Sequence, residues 1–239
     1  MQKLYRTDYT GEFLIYNVEL EDGQYEEERE WLPNSIKNND HWQHAVVIGN
    51  GVSRNLLNLS RIKNHRTGIG GVNRIQSYGC NALHRDFSPD FLVVNNQKIL
   101  DEARLNPNLS NTNIMLSNAM LVNNPGVGNI IPYGVGMNAG AIATYLAAFD
   151  GHKKIYLLGF DNQDNVLNNN IYANTNGYHS SETAISSYKW EICMSEIFRT
   201  YNDVEFIRIN QNNTAPKTWR SCLNFRNVNI RQFALEVDL

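Results

Sequence analysis

The sequence predicts an α/β protein with a Rossmann-like, mostly parallel sheet, helices on both faces of that sheet and a small N-terminal extended add-on. Two observations support this prediction. Short apolar runs of the kind that form buried parallel strands recur along the chain, at 44–48, 91–94 and 155–158. Segments with helical character separate them, and the run at 155–158 follows an alanine- and leucine-rich stretch that strongly favours a helix.

The segment 134–161 shows this alternation most clearly. It begins as a glycine-rich turn, Gly134-Val-Gly-Met-Asn138-Ala-Gly140, and continues as an alanine-rich helix that Gly151 is predicted to end. The strand that follows ends in Gly159-Phe160-Asp161. Because open α/β sheets bind ligands at the carboxyl ends of their strands, this order puts a carboxylate at a predicted ligand site.

Length and composition limit the classes of protein to consider. A chain of 239 residues with 42% hydrophobic residues suits one globular domain with a small appendage. The net charge of -3 gives no general attraction to nucleic acid or anionic membranes. No apolar run has the length of a membrane span, the first nine residues are polar, and the three cysteines lack the spacing of metal ligands. The sequence therefore predicts a cytoplasmic protein with reduced cysteines.

The domain boundary is predicted near residue 44. Residues 1–43 form the add-on, in which two extended segments flank Glu21-Asp22-Gly23, a hairpin signal. The second of these segments, 25–31, is rich in glutamate and is equally compatible with a short helix. Residues 44–239 form the main domain, and its tail, 210–239, has no predicted role beyond packing or a basic rim.

The first strand of the main domain runs directly into Gly49-Asn50-Gly51-Val-Ser53. A helix is predicted from Arg54 to Ser60, with Ser53 as its N-cap. A strand, a glycine turn and a helix in this order point backbone N–H groups at a phosphate. The segment is neither a GxGxxG nor a P-loop, so a tight turn without a ligand is the alternative.

Further strands are predicted at 74–78, 114–116 and 204–209, and further helices at 97–105 and 180–200. The basic run 61–71 is interpreted as a solvated face, with a phosphate- or acceptor-facing loop as the alternative. A long polar segment, 162–177, follows the strand that ends at Asp161, and loops of that length are usually functional or mobile. His179 lies directly after this loop, which makes it a candidate catalytic residue with a structural histidine as the alternative.

Asparagine or aspartate follows strand after strand. Asn50, Asn81, Asn95 and Asp161 would all lie at one edge of a parallel sheet. Asparagine offers donors and acceptors without charge, which suits a ligand with many hydroxyl groups and a nucleobase. The alternative is that asparagine is simply common at turns.

These segments resemble glycosyltransferase family 42, the bacterial sialyltransferases with a single nucleotide-binding α/β domain. The resemblance covers roughly residues 44–210 and keeps one order and similar spacings. It rests on Gly49-Asn50-Gly51-x-Ser53, Cys80-Asn81, Asn95, Asn138-Ala-Gly140, the run from Gly151 to Asp161, and Tyr178-His179-Ser180. The glycine turn and the Gly-x-Asp strand end are also similar to the wider superfamily of domains that resemble the archaeal 6-hydroxymethylpterin diphosphokinase.

The resemblance implies a role for each candidate residue. Asn50 and Asn81 would lie by the donor's phosphate and sugar, and Asn95 would face the transferred sugar. Asp161 would hold the ribose of the donor, with the two residues before it near the base. The implied donor-binding set is Gly49, Asn50, Gly51, Ser53, Asn81, Asn95, Asn138, Gly159, Phe160 and Asp161.

The catalytic residues implied by the resemblance are His179 and Tyr172. His179 would be the general base that takes the proton of the acceptor hydroxyl, and Tyr172 would stabilise the leaving phosphate. Two positions depart from the family pattern. Asn138 stands where the sialyltransferases usually have serine, and Gln163 stands where they have a second tyrosine.

The sequence therefore predicts a metal-independent, sialyltransferase-like glycosyltransferase that uses a CMP-sugar type of donor and needs no cofactor. No Asp-x-Asp occurs that would call for a divalent metal. A pterin-type diphosphokinase that uses Mg²⁺ and a nucleoside triphosphate is the alternative enzyme, and a non-catalytic nucleotide-binding module is the alternative from another class. A glycan, a lipid-linked sugar or a modified nucleic acid remains open as the acceptor, and a homo-oligomer remains open as the assembly.

Overall fold

The structure, a computed structural model, describes residues 1, 3–32, 44–66, 75–132, 134, 136–161, 170–178, 187–211 and 214–239. In chain order the strands and α-helices are β1 (Glu12–Glu19), β2 (Tyr25–Leu32), β3 (His44–Ile48), α1 (Leu59–Arg66), β4 (Ile75–Cys80), β5 (Phe91–Val93), α2 (Gln97–Arg104), β6 (Asn113–Leu116), α3 (Asn118–Asn123), β7 (Asn129–Ile130), α4 (Ala139–Phe149), β8 (Lys154–Leu158), α5 (Ser187–Thr200), β9 (Glu205–Ile209), α6 (Lys217–Arg220), β10 (Phe225–Val228) and α7 (Ile230–Glu236). Short 3₁₀ helices lie at Val52–Leu56, Asn81–Arg85 and Pro107–Leu109.

Eight of the strands form one parallel sheet in the order β10-β9-β8-β3-β4-β5-β6-β7. This confirms the predicted α/β fold with a parallel sheet. The chain starts at the centre with β3, adds strands outward to β7, and then returns to β8 on the other side of β3. The strand order thus reverses between β3 and β8, and in sheets of this kind the crevice beside such a reversal is where ligands bind.

Helices cover both faces of the sheet, as predicted. Strand residues such as Val47 and Leu157 face α4, α5 and α6. Their neighbours Val46 and Leu158 face α1, α2, α3 and α7. Alanine fills much of α4, and ten of its eleven residues are buried, so this helix lies close against the sheet.

Two glycines allow the ends of β3 and β8 to approach closely. A Cβ on Gly159 would lie 2.7 Å from the Gly49 carbonyl oxygen, and the φ angle of Gly159 is +77°. The Gly51 N–H donates to the Gly159 carbonyl at 2.9 Å, which continues the strand pairing into the turn. The glycine turn is therefore built against the end of β8, at the reversal of strand order.

The helix predicted from Arg54 to Ser60 is wrong, and so is Ser53 as its N-cap. A 3₁₀ helix occupies Val52–Leu56, Gly51 lies at its N-cap position, and Leu57 is extended with φ −123° and ψ 132°. Asn58 then accepts the Ser60 N–H through Oδ1 at 3.0 Å, and α1 begins at Leu59. Asparagine side chains compete for backbone N–H groups in this way, and this one separates the two helical segments.

The N-terminal hairpin forms as predicted, and its second segment is a strand. β1 and β2 pair antiparallel from Glu12↔Leu32 to Glu19↔Tyr25 in a separate two-stranded sheet. The helical alternative for 25–31 is therefore wrong.

Residues 3–9 lie ahead of the hairpin and pack on the main domain. The Arg6 N–H donates to the Phe149 carbonyl at 2.8 Å, and the Arg6 guanidinium pairs with Asp150 in a buried ion pair. The Tyr201 hydroxyl donates to the Leu4 carbonyl at 2.6 Å. Residues 3–9 thus contribute to the packing at the amino ends of the strands.

The C-terminal tail is part of the main domain. β10 extends the sheet beside β9, and the Trp219 and Phe233 side chains are fully buried on opposite faces. Arg226, which the sequence left as packing or a basic rim, pairs with Glu205 and Glu236. Within the described ranges, no helix has the length and apolar character needed to cross a membrane.

Candidate functional site

Four polar residues lie at the carboxyl ends of four consecutive strands. Asp161 follows β8, Asn50 follows β3, Asn81 follows β4 and Asn95 follows β5, and these strands are neighbours in the order β8-β3-β4-β5. All four strands are parallel, so the four residues share one edge of the sheet. This edge includes the reversal of strand order between β3 and β8.

The Asp161 carboxylate joins the end of β8 to the glycine turn. Its Oδ2 accepts the Ser53 N–H at 2.8 Å, so Asp161, not Ser53, supplies the cap of the 3₁₀ helix. A Cβ on Gly51 would lie 2.6 Å from Asp161 Oδ2, which explains why glycine stands there. The other carboxylate oxygen, Oδ1, is buried and has no hydrogen-bond partner among the residues that the structure describes.

The structure describes a hydrogen-bond partner for the amide nitrogen of the Asn50 side chain and none for its oxygen. The Asn50 Nδ2 donates to the Tyr178 hydroxyl at 3.0 Å, and its Oδ1 is buried without a partner in the described part of the chain. The same holds for the buried Ser53 Oγ, to which no described residue is hydrogen-bonded. Buried polar atoms in folded proteins are nearly always hydrogen-bonded. Three unpartnered atoms from adjacent segments therefore indicate a place where a ligand with hydroxyl groups would complete the bonding.

Asn81 and Asn95 are linked to each other. Asn81 adopts the left-handed conformation with φ 47°, and its Oδ1 accepts the Asn95 N–H at 3.1 Å. The Asn95 side chain is exposed at the edge. Asn138 lies on the other face of the sheet as the N-cap of α4, where its Oδ1 accepts the Ala141 N–H at 2.8 Å. Asn138 therefore acts in this structure as a helix cap.

Tyr172 is the candidate residue for stabilising the leaving phosphate, and its hydroxyl is hydrogen-bonded to other residues of the protein. Its side chain is buried, its hydroxyl donates to Asp86 Oδ2 at 2.6 Å, and it accepts from Arg54 at 3.0 Å. Burial, together with the bond to Asp86, raises the pKa of Tyr172. A tyrosine has one hydroxyl proton to donate, and in this structure Asp86 receives it. The contact between Tyr172 and the leaving phosphate remains a prediction.

Tyr178, which the sequence analysis did not single out as a candidate for contact with the phosphate, lies beside Asn50. Its hydroxyl contacts Asn50, and its ring stacks on Tyr172 with centroids 6.1 Å apart. Burial raises the pKa of Tyr178 to about 12, while hydrogen bonds from the Ala82 backbone and the Asn81 side chain oppose that rise. The hydroxyl therefore keeps its proton at neutral pH. The motif Tyr178-His179-Ser180 was the only signal in the sequence that pointed to it.

The residues Gly159 and Phe160 contribute backbone to the site. Gly159 packs against the glycine turn, and the Phe160 side chain is fully buried, with its ring 5.6 Å from that of Trp190. The placement of Gly159 and Phe160 near the base of a donor remains a prediction, and in this structure the Phe160 ring packs in the core. The Phe160 carbonyl accepts a bond from the buried Arg208 guanidinium at 2.6 Å.

Two arginines lie close to this edge, and carboxylates pair with both. Arg54 is buried and pairs with Asp86, while Arg85 forms a bidentate pair with Glu102 at 2.6 Å for each bond. The Arg54 and Arg85 guanidinium carbons lie 5.1 and 5.4 Å from the centroid of the Tyr172 ring. Of the polar side chains that the structure describes at the ends of these strands, Asn50, Asn81 and Asn95 are neutral amides and Asp161 is charged.

Two sequence candidates, His179 and Gln163, lie outside the described residues. Their roles remain predictions from the sequence. α5 is described from Ser187, and the loop after β8 from residue 170.

The fold defines a parallel α/β domain with a candidate ligand site where the strand order reverses. It is similar to the sialyltransferase CstII from Campylobacter jejuni in complex with the substrate analogue CMP-3FNeuAc, at 14% identity and a TM-score of 0.44, over 69% of this chain and 79% of that one. It is also similar to a variant of the sialyltransferase CST-II in complex with CMP, at 12% identity and a TM-score of 0.46, over 81% of this chain and 98% of that one. No protein-family model and no curated protein matches the chain.

Proposed function

We propose that the chain is a glycosyltransferase that moves a sugar from a nucleotide-sugar donor to an acceptor hydroxyl. The observation that supports this proposal is the group of unpartnered buried atoms on Asn50, Ser53 and Asp161 at the reversal of strand order. Two of them are oxygens that can only accept, so they fit the hydroxyl groups of a ribose or a sugar. The order of motifs shared with glycosyltransferase family 42 supports the same function.

The charge of the site favours a donor with few phosphates. Arg54 and Arg85 are both paired with carboxylates, so they offer little free positive charge. Neutral hydrogen-bond donors suit the single phosphodiester of a CMP-sugar better than the triphosphate that a diphosphokinase would bind. The donor type remains part of the proposal.

In this proposal Asp161 Oδ1 accepts a hydrogen bond from a ribose hydroxyl, and the Tyr178 hydroxyl donates a hydrogen bond to the phosphate. The acceptor oxygen attacks the anomeric carbon while the bond from that carbon to the phosphate oxygen breaks. The bonding electrons go to the phosphate oxygen, where hydrogen-bond donors stabilise the charge. His179 takes the proton of the acceptor hydroxyl.

The test of the donor site is Asp161→Asn. An asparagine can still accept the Ser53 N–H with its oxygen, but it then presents an NH₂ group where Oδ1 now lies. We expect nucleotide affinity, measured by calorimetry with CMP and with CMP-sugars, to fall about 10- to 100-fold, because a bond to a charged acceptor is lost.

The matched control is Asp101→Asn, at an exposed position on α2, which should leave the affinity unchanged. Equal affinities for the wild type and Asp161→Asn would remove Asp161 from the site. Wild-type binding of ATP with Mg²⁺, and of no cytidine compound, would replace the proposal with the diphosphokinase. Binding of a mononucleotide without turnover of any nucleotide sugar would leave the non-catalytic module.

A further inference from the structure

The segment 170–178, the end of the long loop after β8, is tied to the edge of the sheet at several points. Its Ile171 N–H donates to the Asn50 carbonyl at 2.9 Å, and its Tyr178 hydroxyl accepts from the Asn50 side chain at 3.0 Å. Arg85 donates to Thr175 Oγ1 at 2.7 Å and to the Asn176 carbonyl at 2.9 Å. The segment is therefore one wall of the candidate site.

The centre of this attachment is Tyr172, whose hydroxyl meets two charged groups at once. Arg54 donates one N–H to the Tyr172 hydroxyl and another to Asp86, and the Tyr172 hydroxyl donates to the same carboxylate oxygen. The Arg54 side chain is 4% exposed and that of Asp86 is 48% exposed. Charge-assisted bonds from a buried guanidinium are stronger than neutral ones, and they fix direction as well as distance.

Because the position of the Tyr172 ring is fixed, the position of Tyr178, which packs against it, is fixed as well. The Arg54 and Arg85 guanidinium carbons both lie within 5.4 Å of the centroid of the Tyr172 ring, and this ring stacks on that of Tyr178. Displacing the Tyr172 ring would therefore displace the Tyr178 hydroxyl from Asn50.

We propose that Arg54 and Asp86 are positioning residues, which act through Tyr172 to hold the segment 170–178 and so place the Tyr178 hydroxyl beside Asn50 before any ligand binds. The first part concerns the free protein alone. Its effect on ligand binding rests on the proposed function.

Amide hydrogen exchange of the free protein tests the first part, with Arg54→Met, Asp86→Asn and Tyr172→Phe. We expect exchange of the Ile171 amide to accelerate about tenfold in each, since a charge-assisted bond is removed. The Gly49 amide, which donates to the Leu158 carbonyl at 2.8 Å, is the reference and should not change. Controls are Arg104→Met and Tyr188→Phe, both at exposed positions. Asp86→Asn and Tyr172→Phe keep the test valid if Arg54→Met does not fold.

Unchanged exchange at Ile171 overturns the proposal. Equal acceleration at Ile171 and Gly49 also overturns it, because the residues would then support global stability only. Nucleotide titration of the same variants tests the second part. We expect affinity to fall about tenfold for Arg54→Met and less for Arg54→Lys, which can keep one of the two bonds. Wild-type protein that binds no nucleotide would defeat the proposed function while leaving the exchange result valid.

Discussion

Replacing His179 by alanine is expected to lower the turnover of a nucleotide sugar by about 10²- to 10⁴-fold, which is the usual effect of removing a general base. The acceptor hydroxyl is a poor nucleophile until its proton is taken, and His179 is the candidate base in the sequence beside Tyr178. The side chain would act on the acceptor, so nucleotide affinity should stay within about twofold of the wild type. Steady-state kinetics with saturating donor, together with calorimetry, measure both quantities.

The pH dependence gives a second readout of the same role. A histidine base must be neutral to accept a proton, and histidine titrates near neutral pH. Turnover should therefore rise through the acid side of neutrality and then level off. His41→Ala, in the predicted add-on 1–43, is the control and should keep the wild-type rate. A His179→Ala variant that retains more than about a tenth of the wild-type rate would show that His179 is not the base.

Replacing Arg6 by methionine is expected to lower the free energy of unfolding by about 3–5 kcal/mol at pH 8, because it leaves a buried carboxylate without its cation. Arg6 and Asp150 are both buried, and the other Asp150 oxygen accepts from the Tyr78 hydroxyl at 2.5 Å. The Tyr78 hydroxyl also lies 2.9 Å from Gln76 Oε1 and 3.0 Å from His152 Nε2. Urea denaturation measures the loss, with Lys3→Met, from an exposed ion pair, as the control.

The loss should depend on pH in a defined direction. Burial raises the pKa of Asp150 from 3.8 to about 6, and Arg6 opposes that rise. In the wild type, the stability that this carboxyl contributes is present in acid and is lost as the pH rises through about 6. Without Arg6 the pKa of Asp150 should rise further, so the folded variant holds its proton to higher pH. The destabilisation should therefore be greatest near pH 8 and smaller near pH 5. A loss that is constant over this range would contradict the account.

The strands could be predicted because burial on both faces requires that the residues of the strand itself be apolar. The runs 44–48, 91–94 and 155–158 are apolar throughout, as strands covered on both faces must be, and each lies in or beside a strand of the sheet. The placement of Asn50, Asn81, Asn95 and Asp161 at one edge followed from parallel pairing alone. Their roles in binding remain predictions.

Other features depend on contacts between distant parts of the chain. Nothing near Tyr172 in the sequence shows that its hydroxyl donates to Asp86, 86 residues away. Ser53 has the character of an N-cap, yet the carboxylate of Asp161, 108 residues away, performs the capping. The Phe160 ring lies in the core because Trp190 of α5 packs on it. Sequence patterns identify such residues as polar or aromatic but do not show which partner they meet.

The docking of the N-terminal residues has a practical consequence for handling the protein. The side chains of Lys3 and Tyr5 meet Asp203 just before β9, and Lys153 beside β8 joins them. These contacts lie at the amino ends of the strands, whereas the candidate site lies at the carboxyl ends. A purification tag, a fluorophore or a surface tether joined ahead of residue 3 would therefore emerge at the opposite edge of the sheet from the candidate site. Under the proposed function, protein immobilised in this way should bind nucleotide with the same affinity as protein in free solution.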